Sequence, residues 1–143
     1  MEQPLEDLLA RSQDTIAWRE GDNGTRADQL TPKIILFQLQ GVLAGDAASV
    51  IETAFERFVA PDACSLFWDV SQLSGYSSEF RDATLGALRK HSTRIRSIHI
   101  YSSGAPWAVR MAINLGNLVM KGRVETHDQR PRFITALTQA VGA

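Results

Sequence analysis

The stretch CSLFWDVSQLSGYSSEF, residues 64–80, contains the strongest indication of the fold. Residues 64–70 are almost wholly apolar, which is typical of a central strand covered on both faces. Four serines follow within eight positions: Ser71, Ser74, Ser77 and Ser78. A helical pattern begins near Ser77 or Ser78, and serine is a preferred residue at a helix N-cap. The stretch therefore predicts a buried strand, a serine-rich loop over residues 71–78 and a helix.

Strands and helices also alternate on the N-terminal side of this stretch. Residues 4–12 are typical of a short helix, and strands are predicted around residues 15–19 and 34–40. The turn sequence DNG at 22–24 lies between these strands, and Pro32 lies just before the second one and not inside it. Asp46 is predicted to cap a helix whose apolar residues recur on one face.

The alternation continues towards the C-terminus. Residues 95–103 are predicted to form a strand, and Pro106 is placed in the first turn of a helix that runs to about Met120. An edge strand over residues 122–128 and a closing helix from about Phe133 complete the pattern. This order predicts an α/β fold whose central sheet is mostly parallel or mixed, has about five strands and carries helices on its faces.

The bulk properties predict an ordinary globular domain. The 143 residues include 44% apolar and 22% charged residues, and the only cysteine is Cys64. A chain without an internal disulfide, an N-terminal signal sequence or a long apolar run is expected in the cytoplasm. Residues 1–80 carry a net charge of −8 and residues 81–143 a net charge of +7. The basic residues form no dense run with interleaved aromatics, so nucleic-acid binding is not predicted.

Two stretches resemble the STAS domain, and in particular its SpoIIAA-like group, the fold of bacterial anti-sigma-factor antagonists. LQGVLAGDAASVIETAF (39–55) is similar to the opening strand, turn and helix of that family, and SLFWDVSQLSGYSSEF (65–80) is similar to its central strand and regulatory loop. The resemblance covers residues 15–141. It implies a single domain over residues 15–143, preceded by an N-terminal extension of residues 1–14.

The resemblance also implies a regulatory role. In phosphorylatable members, a partner kinase phosphorylates a serine of this loop and breaks the complex. By position, Ser78 is the possible phosphoacceptor and Ser77 replaces an aspartate, while Glu79 and Phe80 stand where the family has a small residue and glycine. The alternative from the residues themselves is that Ser77 or Ser78 is simply the helix N-cap.

No catalytic or metal-binding pattern is complete in the sequence. GYSSE at 75–79 lacks the second glycine of a nucleophile elbow. Three widely spaced histidines and one cysteine give no metal-ligand spacing, and no nucleotide-binding glycine motif is present. The sequence therefore predicts a non-enzymatic chain without a metal or cofactor.

The helix predicted from Pro106 to Met120 has one narrow polar stripe, which includes Arg110 and Asn114. Such a helix is either buried beneath the N-terminal segment or exposes an apolar contact surface. The second alternative predicts a protein-binding surface, for a partner or a second copy of the chain, formed by Ser74, Tyr76, Ser102, Ser103, Trp107, Arg110, Met111 and Asn114. Binding of a small anionic or lipid-like ligand at the serine loops and the apolar surface is the competing hypothesis.

Overall fold

The computed structural model describes residues 3–59, 61 and 63–142. Within them, one sheet has its strands in the order of the chain: Asp14–Glu20 (β1), Asn23–Thr31 (β2), Ile34–Leu43 (β3), Cys64–Tyr76 (β4), Ile95–Tyr101 (β5) and Val124–His127 (β6). The α-helices of the same part of the chain are Gln3–Ala10 (α1), Gly45–Ala54 (α2), Ser78–Lys90 (α3), Trp107–Val119 (α4) and Arg130–Gly142 (α5). A π-helical turn, Phe55–Val59, continues α2.

The sheet is mixed, as predicted. β1, β2 and β3 pair in antiparallel fashion, and β3 to β6 pair in parallel. Right-handed crossovers between neighbouring parallel strands place their helices on one face of the sheet, and α2, α3 and α4 lie there. The opposite face is covered by α1 and α5.

The sheet has six strands, one more than the sequence indicated. The DNG turn is correctly predicted, but it leads into β2 and not directly to β3. The sequence pattern did not predict β2, because Asp28 near its middle is charged and yet fully buried. Its carboxylate accepts hydrogen bonds from Arg26 Nε at 2.7 Å and Thr15 Oγ1 at 2.6 Å, and these partners offset the cost of burying a charge.

β4 is longer than predicted, and residues 71–76 are not a loop. Beyond the end of β5, β4 continues to pair with β3, from Gln40 opposite Gln72 to Leu43 opposite Tyr76. The predicted serine loop therefore shrinks to Ser77, which joins this two-stranded extension to α3. The polar residues of 71–76 suggested a loop because this part of the strand is less buried than residues 64–70.

Two helix starts also differ from the predictions. Ala44 occupies the N-cap position of α2 without a side-chain cap, and Asp46 lies within the first turn, where the helix dipole favours a carboxylate. Pro106 is the N-cap of α4 and precedes its first turn. Among the described residues, no helix combines the length and the apolar character needed to cross a membrane.

Two apolar clusters hold the layers together. In the larger one, the rings of Phe37 and Trp68 stack with their centroids 4.0 Å apart, and Phe55 of the π-helical turn packs against both. The smaller cluster joins α1 and α5 to the sheet through side chains that include Leu5, Leu8, Phe67, Phe133 and Leu137.

Candidate functional site

Tyr76, at the end of β4, fastens this strand to the first turn of α4. Its hydroxyl donates a hydrogen bond to the carbonyl of Ala108 at 2.6 Å, and its ring packs against the larger cluster. Trp107 directly precedes Ala108 in the chain. The structure therefore brings together two predicted binding residues, Tyr76 from the serine-rich stretch and Trp107 from α4.

Ser77 and Ser78 differ in what their side chains do. Ser77 is the N-cap of α3, because its Oγ accepts a hydrogen bond from the amide of Phe80 at 3.1 Å. Its own amide donates to the carbonyl of Leu43 at 2.8 Å. Ser78 is the first residue of α3 and is exposed. The cap is thus assigned to Ser77, and the hydroxyl of Ser78 lies at the surface.

The other serines of the predicted binding surface lie at the same end of the sheet as Ser77. Ser74 is exposed on the extension of β4. Ser102 and Ser103 follow the end of β5, in the short loop that leads to Pro106 and α4. Since the carboxyl ends of parallel strands share one edge, these serines border the end of the sheet from which α3 and α4 begin.

The outer face of α4 is apolar and exposed. Trp107, Met111, Leu115 and Leu118 recur at helical spacing, and their exposed fractions are 70%, 41%, 40% and 76%. We call these four side chains the α4 stripe. Polar residues on the same helix, which include Arg110 and Asn114, are also exposed. Between Trp107 and Lys121 the sequence contains no carboxylate.

The N-terminal segment does not bury α4, contrary to one of the two interpretations of this helix. α1 contacts α5 and β2, whereas α4 contacts α3 and β4 on the other side of the sheet. The inner residues Val109 and Gly116 are buried. The α4 stripe therefore remains at the surface of the described chain.

An apolar cavity of ≈ 100 Å³ lies behind α4, between α3, α4 and the sheet. Its walls include Trp68, Phe80, Leu88, Ile100 and Ile113. This volume is below the roughly 300–1,000 Å³ of pockets that hold drug-sized ligands. The cavity can hold only a few apolar heavy atoms unless α4 moves.

A second cavity of ≈ 290 Å³, lined by both polar and apolar side chains of β1 to β4, opens where the sequence predicted no site. Arg26, Gln38 and Asp69 follow one another across neighbouring strands. The carboxylate of Asp69 is held by Arg130 Nη1 at 2.8 Å and by Ser71 Oγ at 2.7 Å. This aspartate consequently fixes the start of α5 against the sheet.

The sequence predicted no metal site, but the fold brings His99, Glu125 and His127 together. His99 lies opposite Glu125 across the β5–β6 ladder, and alternation along β6 places Glu125 and His127 on one face. His99 Nδ1 and His127 Nε2 are 3.1 Å apart. Burial lowers the pKa of His99 below its usual value of 6.5, with the Glu125 charge opposing and His127 reinforcing this shift.

A sequence signal for this cluster did exist. The predicted strand over residues 122–128 contains the pattern Glu-x-His, and the strand predicted before it in the chain contains His99. Histidine spacing along the chain could not reveal it, because His127 lies 28 positions after His99.

Comparison with solved structures identifies the fold. An uncharacterized protein of the DUF3478 family from Shewanella loihica PV-4, whose structure is described as having a SpoIIAA-like fold, superposes with a TM-score of 0.58. The match covers 87% of this chain and 92% of that protein, at 15% sequence identity. The chain has a SpoIIAA-like fold. The α/β sheet and the SpoIIAA-like resemblance predicted from residues 39–55 and 65–80 are therefore confirmed.

Other comparisons add no relative. No protein-family model and no curated protein matches the sequence. At 15% identity the SpoIIAA-like likeness concerns the backbone, whereas function depends on the side chains of this chain.

Proposed function

We propose that this SpoIIAA-like chain is a non-enzymatic regulatory or scaffolding module that binds a protein through the outer face of α4. The observation that carries the proposal is the α4 stripe, whose four large apolar side chains are 40–76% exposed on a single helix. Contiguous apolar surface of this kind is unusual on a protein that remains alone, and aromatic and methionine side chains are common at interfaces.

The surface around the α4 stripe favours a particular partner chemistry. Arg110 and Lys121 are the charged residues between Trp107 and Lys121, and both are exposed. An apolar helix or groove bordered by carboxylates would complement them. Tyr76, Ser102 and Ser103 lie at the start of α4, and we assign them, together with Ser74 on the extension of β4, to the border of the same surface.

We test this surface with Leu118→Glu, which introduces a charge at a position that is 76% exposed and should leave the fold intact. Thr135→Glu, on the exposed side of α5, is the matched control. Light scattering after size exclusion measures self-association, and quantitative affinity capture from the source cells measures partners. We expect Leu118→Glu, but not Thr135→Glu, to remove a specific partner.

The outcomes of this experiment separate three cases. A dimer that becomes a monomer only in Leu118→Glu identifies a second copy of the chain as the partner. A second protein lost only in Leu118→Glu identifies a heterologous complex. The proposal is contradicted if the unmodified chain, Leu118→Glu and Thr135→Glu are all monomeric and all capture the same proteins.

Phosphorylation of Ser78 is the regulatory step that we propose for this module. Its hydroxyl is exposed at the first residue of α3, whereas the Ser77 hydroxyl is engaged as the cap. A phosphate adds nearly two negative charges, which the helix N-terminus stabilises and Glu79 opposes. Phosphopeptide mapping of protein from the source cells should find the modification on Ser78. Its absence from both serines would leave α3 with an ordinary cap.

Of the small anionic or lipid-like ligands predicted as the alternative, a lipid-like ligand is the second candidate, because the cavity behind α4 is apolar. Entry of anything larger than a few heavy atoms requires α4 to move away from the sheet. Gly104 and Gly122, which both have positive φ angles, flank this helix. Native mass spectrometry should then detect a bound molecule that is lost in Ala112→Leu, which fills the cavity, and kept in Ala108→Leu on the exposed side.

A further inference from the structure

Three potential metal ligands converge at the edge strand of the sheet, on the face covered by α1 and α5. Glu125 and His127 come from β6, and His99 comes from β5 directly opposite Glu125. Their donor atoms are His99 Nδ1, His127 Nε2 and Glu125 Oε2. Imidazole nitrogens and a carboxylate oxygen are typical ligands of Zn²⁺.

The separations of these donor atoms match a tetrahedral metal ion. His99 Nδ1 and His127 Nε2 are 3.1 Å apart, His127 Nε2 and Glu125 Oε2 are 3.2 Å apart, and His99 Nδ1 and Glu125 Oε2 are 3.6 Å apart. With bonds of about 2.0–2.1 Å, a tetrahedral ion holds its ligand atoms about 3.3 Å from one another. Octahedral geometry at the same bond length requires about 2.9 Å, so the triangle fits four-coordination better.

Packing holds both imidazole rings in place. The His99 ring stacks on Phe67 with centroids 4.4 Å apart and planes 4° apart, and the His127 ring meets the Phe133 ring nearly edge-on, at 67°. Rings fixed in this way lose little further freedom when they bind an ion. The Glu125 side chain is 64% exposed and leaves a route from solvent to the cluster.

The charges near the cluster do not exclude a cation. Arg130 is a nearby cation, and its guanidinium lies over the Tyr101 ring, 5.6 Å from the ring centroid. It is paired with Asp69 at 2.8 Å, which compensates its charge locally. Glu125 supplies the negative charge of the cluster itself.

We propose that His99, Glu125 and His127 form a binding site for a divalent transition-metal ion, with Zn²⁺ the ion that fits the donor set best. Three protein ligands leave the fourth position of the tetrahedron to water or to an exogenous ligand. The site lies across the sheet from α4, so it is separate from the proposed protein-binding surface.

The experiment uses the full chain after removal of any histidine tag, and its probes are Co²⁺ and Zn²⁺. Four-coordinate Co²⁺ absorbs visible light far more strongly than six-coordinate Co²⁺. We expect a 1:1 Co²⁺ complex with this strong absorption, its displacement by Zn²⁺, and a melting temperature that rises with Zn²⁺ concentration. Glu125→Gln and His127→Gln should each weaken binding by about tenfold or more.

Glu56→Gln is the matched control for Glu125→Gln. Glu56 is also exposed and also lies beside a histidine, His91, at 3.6 Å, but its other partner is Lys90. This variant should bind Co²⁺ as the unmodified chain does. Weak six-coordinate Co²⁺ spectra, or affinities that Glu125→Gln and His127→Gln leave unchanged, would overturn the proposal and reduce the cluster to a hydrogen-bonded histidine pair.

Discussion

At the scale of single residues, the two serines at the start of α3 separate a structural role from a regulatory one. Ser77→Ala removes the hydroxyl that accepts from the Phe80 amide and should lower the free energy of unfolding by about 1 kcal/mol. Ser78→Ala removes an exposed hydroxyl and should change it by less than about 0.5 kcal/mol. Urea denaturation of the two variants measures the difference.

The result bears on the phosphoacceptor as well as on stability. If Ser78→Ala proved the more destabilising variant, the cap assignment would be wrong, and the hydroxyl of Ser78 would not be free for a kinase. Sequence reasoning could restrict the cap to these two residues, because both precede the helical pattern. It could not choose between them, since that choice depends on where β4 ends.

At the scale of elements, the end of β3 and the β1–β2 turn fit closely together. Gly41 has a φ of +76°, and a Cβ atom at this position would lie 2.8 Å from the carbonyl oxygen of Asp22. The Val42 amide donates to Asn23 Oδ1 at 2.9 Å in the same contact. Gly41→Ala should therefore lower the free energy of unfolding by about 2 kcal/mol or more.

Gly75→Ala is the control for this prediction, because a Cβ atom there meets nothing within 4 Å. Its cost should stay within about 1 kcal/mol. Thermal unfolding of both variants provides the measurement. Equal stability of the two would show that the β1–β2 turn can move away from β3 without loss.

The elements also show where sequence patterns were sufficient. β4 was recognised over residues 64–70 because both of its faces are covered there and nearly every side chain is apolar. Its continuation to Tyr76 depends on pairing with β3, which no local pattern records. β2 was not predicted because its burial also depends on contacts with other residues. An aspartate in the sequence suggests an exposed position, and Asp28 can be buried only because Thr15 and Arg26 bind its carboxylate.

At the scale of the whole molecule, the sequence predicted the α4 surface better than the histidine cluster. The apolar character of α4 can be read from its own residues, such as Trp107 and Met111. The structure adds that none of the described residues covers these two side chains. The cluster of His99 and His127 exists only through the pairing of β5 with β6. Sites built across strands require the topology as well as the residues.

The predicted domain boundary after residue 14 raises the question whether α1 belongs to the folding unit. α1 precedes that boundary, yet its Leu5 and Leu8 side chains are each 5% exposed in the cluster that joins α5 to the sheet. Burial of a leucine contributes about 1.5–3 kcal/mol, and ordering the helix offsets part of it. Removing residues 1–12 should therefore preserve the fold but lower the free energy of unfolding by about 2–5 kcal/mol.

Leu5→Ala/Leu8→Ala in the full chain is the companion variant, and Glu6→Ala at an exposed position of α1 is its control. The double variant should be destabilised to a similar degree as the truncated chain, and Glu6→Ala should not, when all are followed by thermal unfolding. If the truncated chain were as stable as the full one, residues 1–14 would be an extension outside the folding unit. A loss of stability in only the truncated chain and the leucine variant would instead show that α1 belongs to the layer that supports α5. Phe133 of α5 packs against His127, so α1 would then also support the histidine cluster.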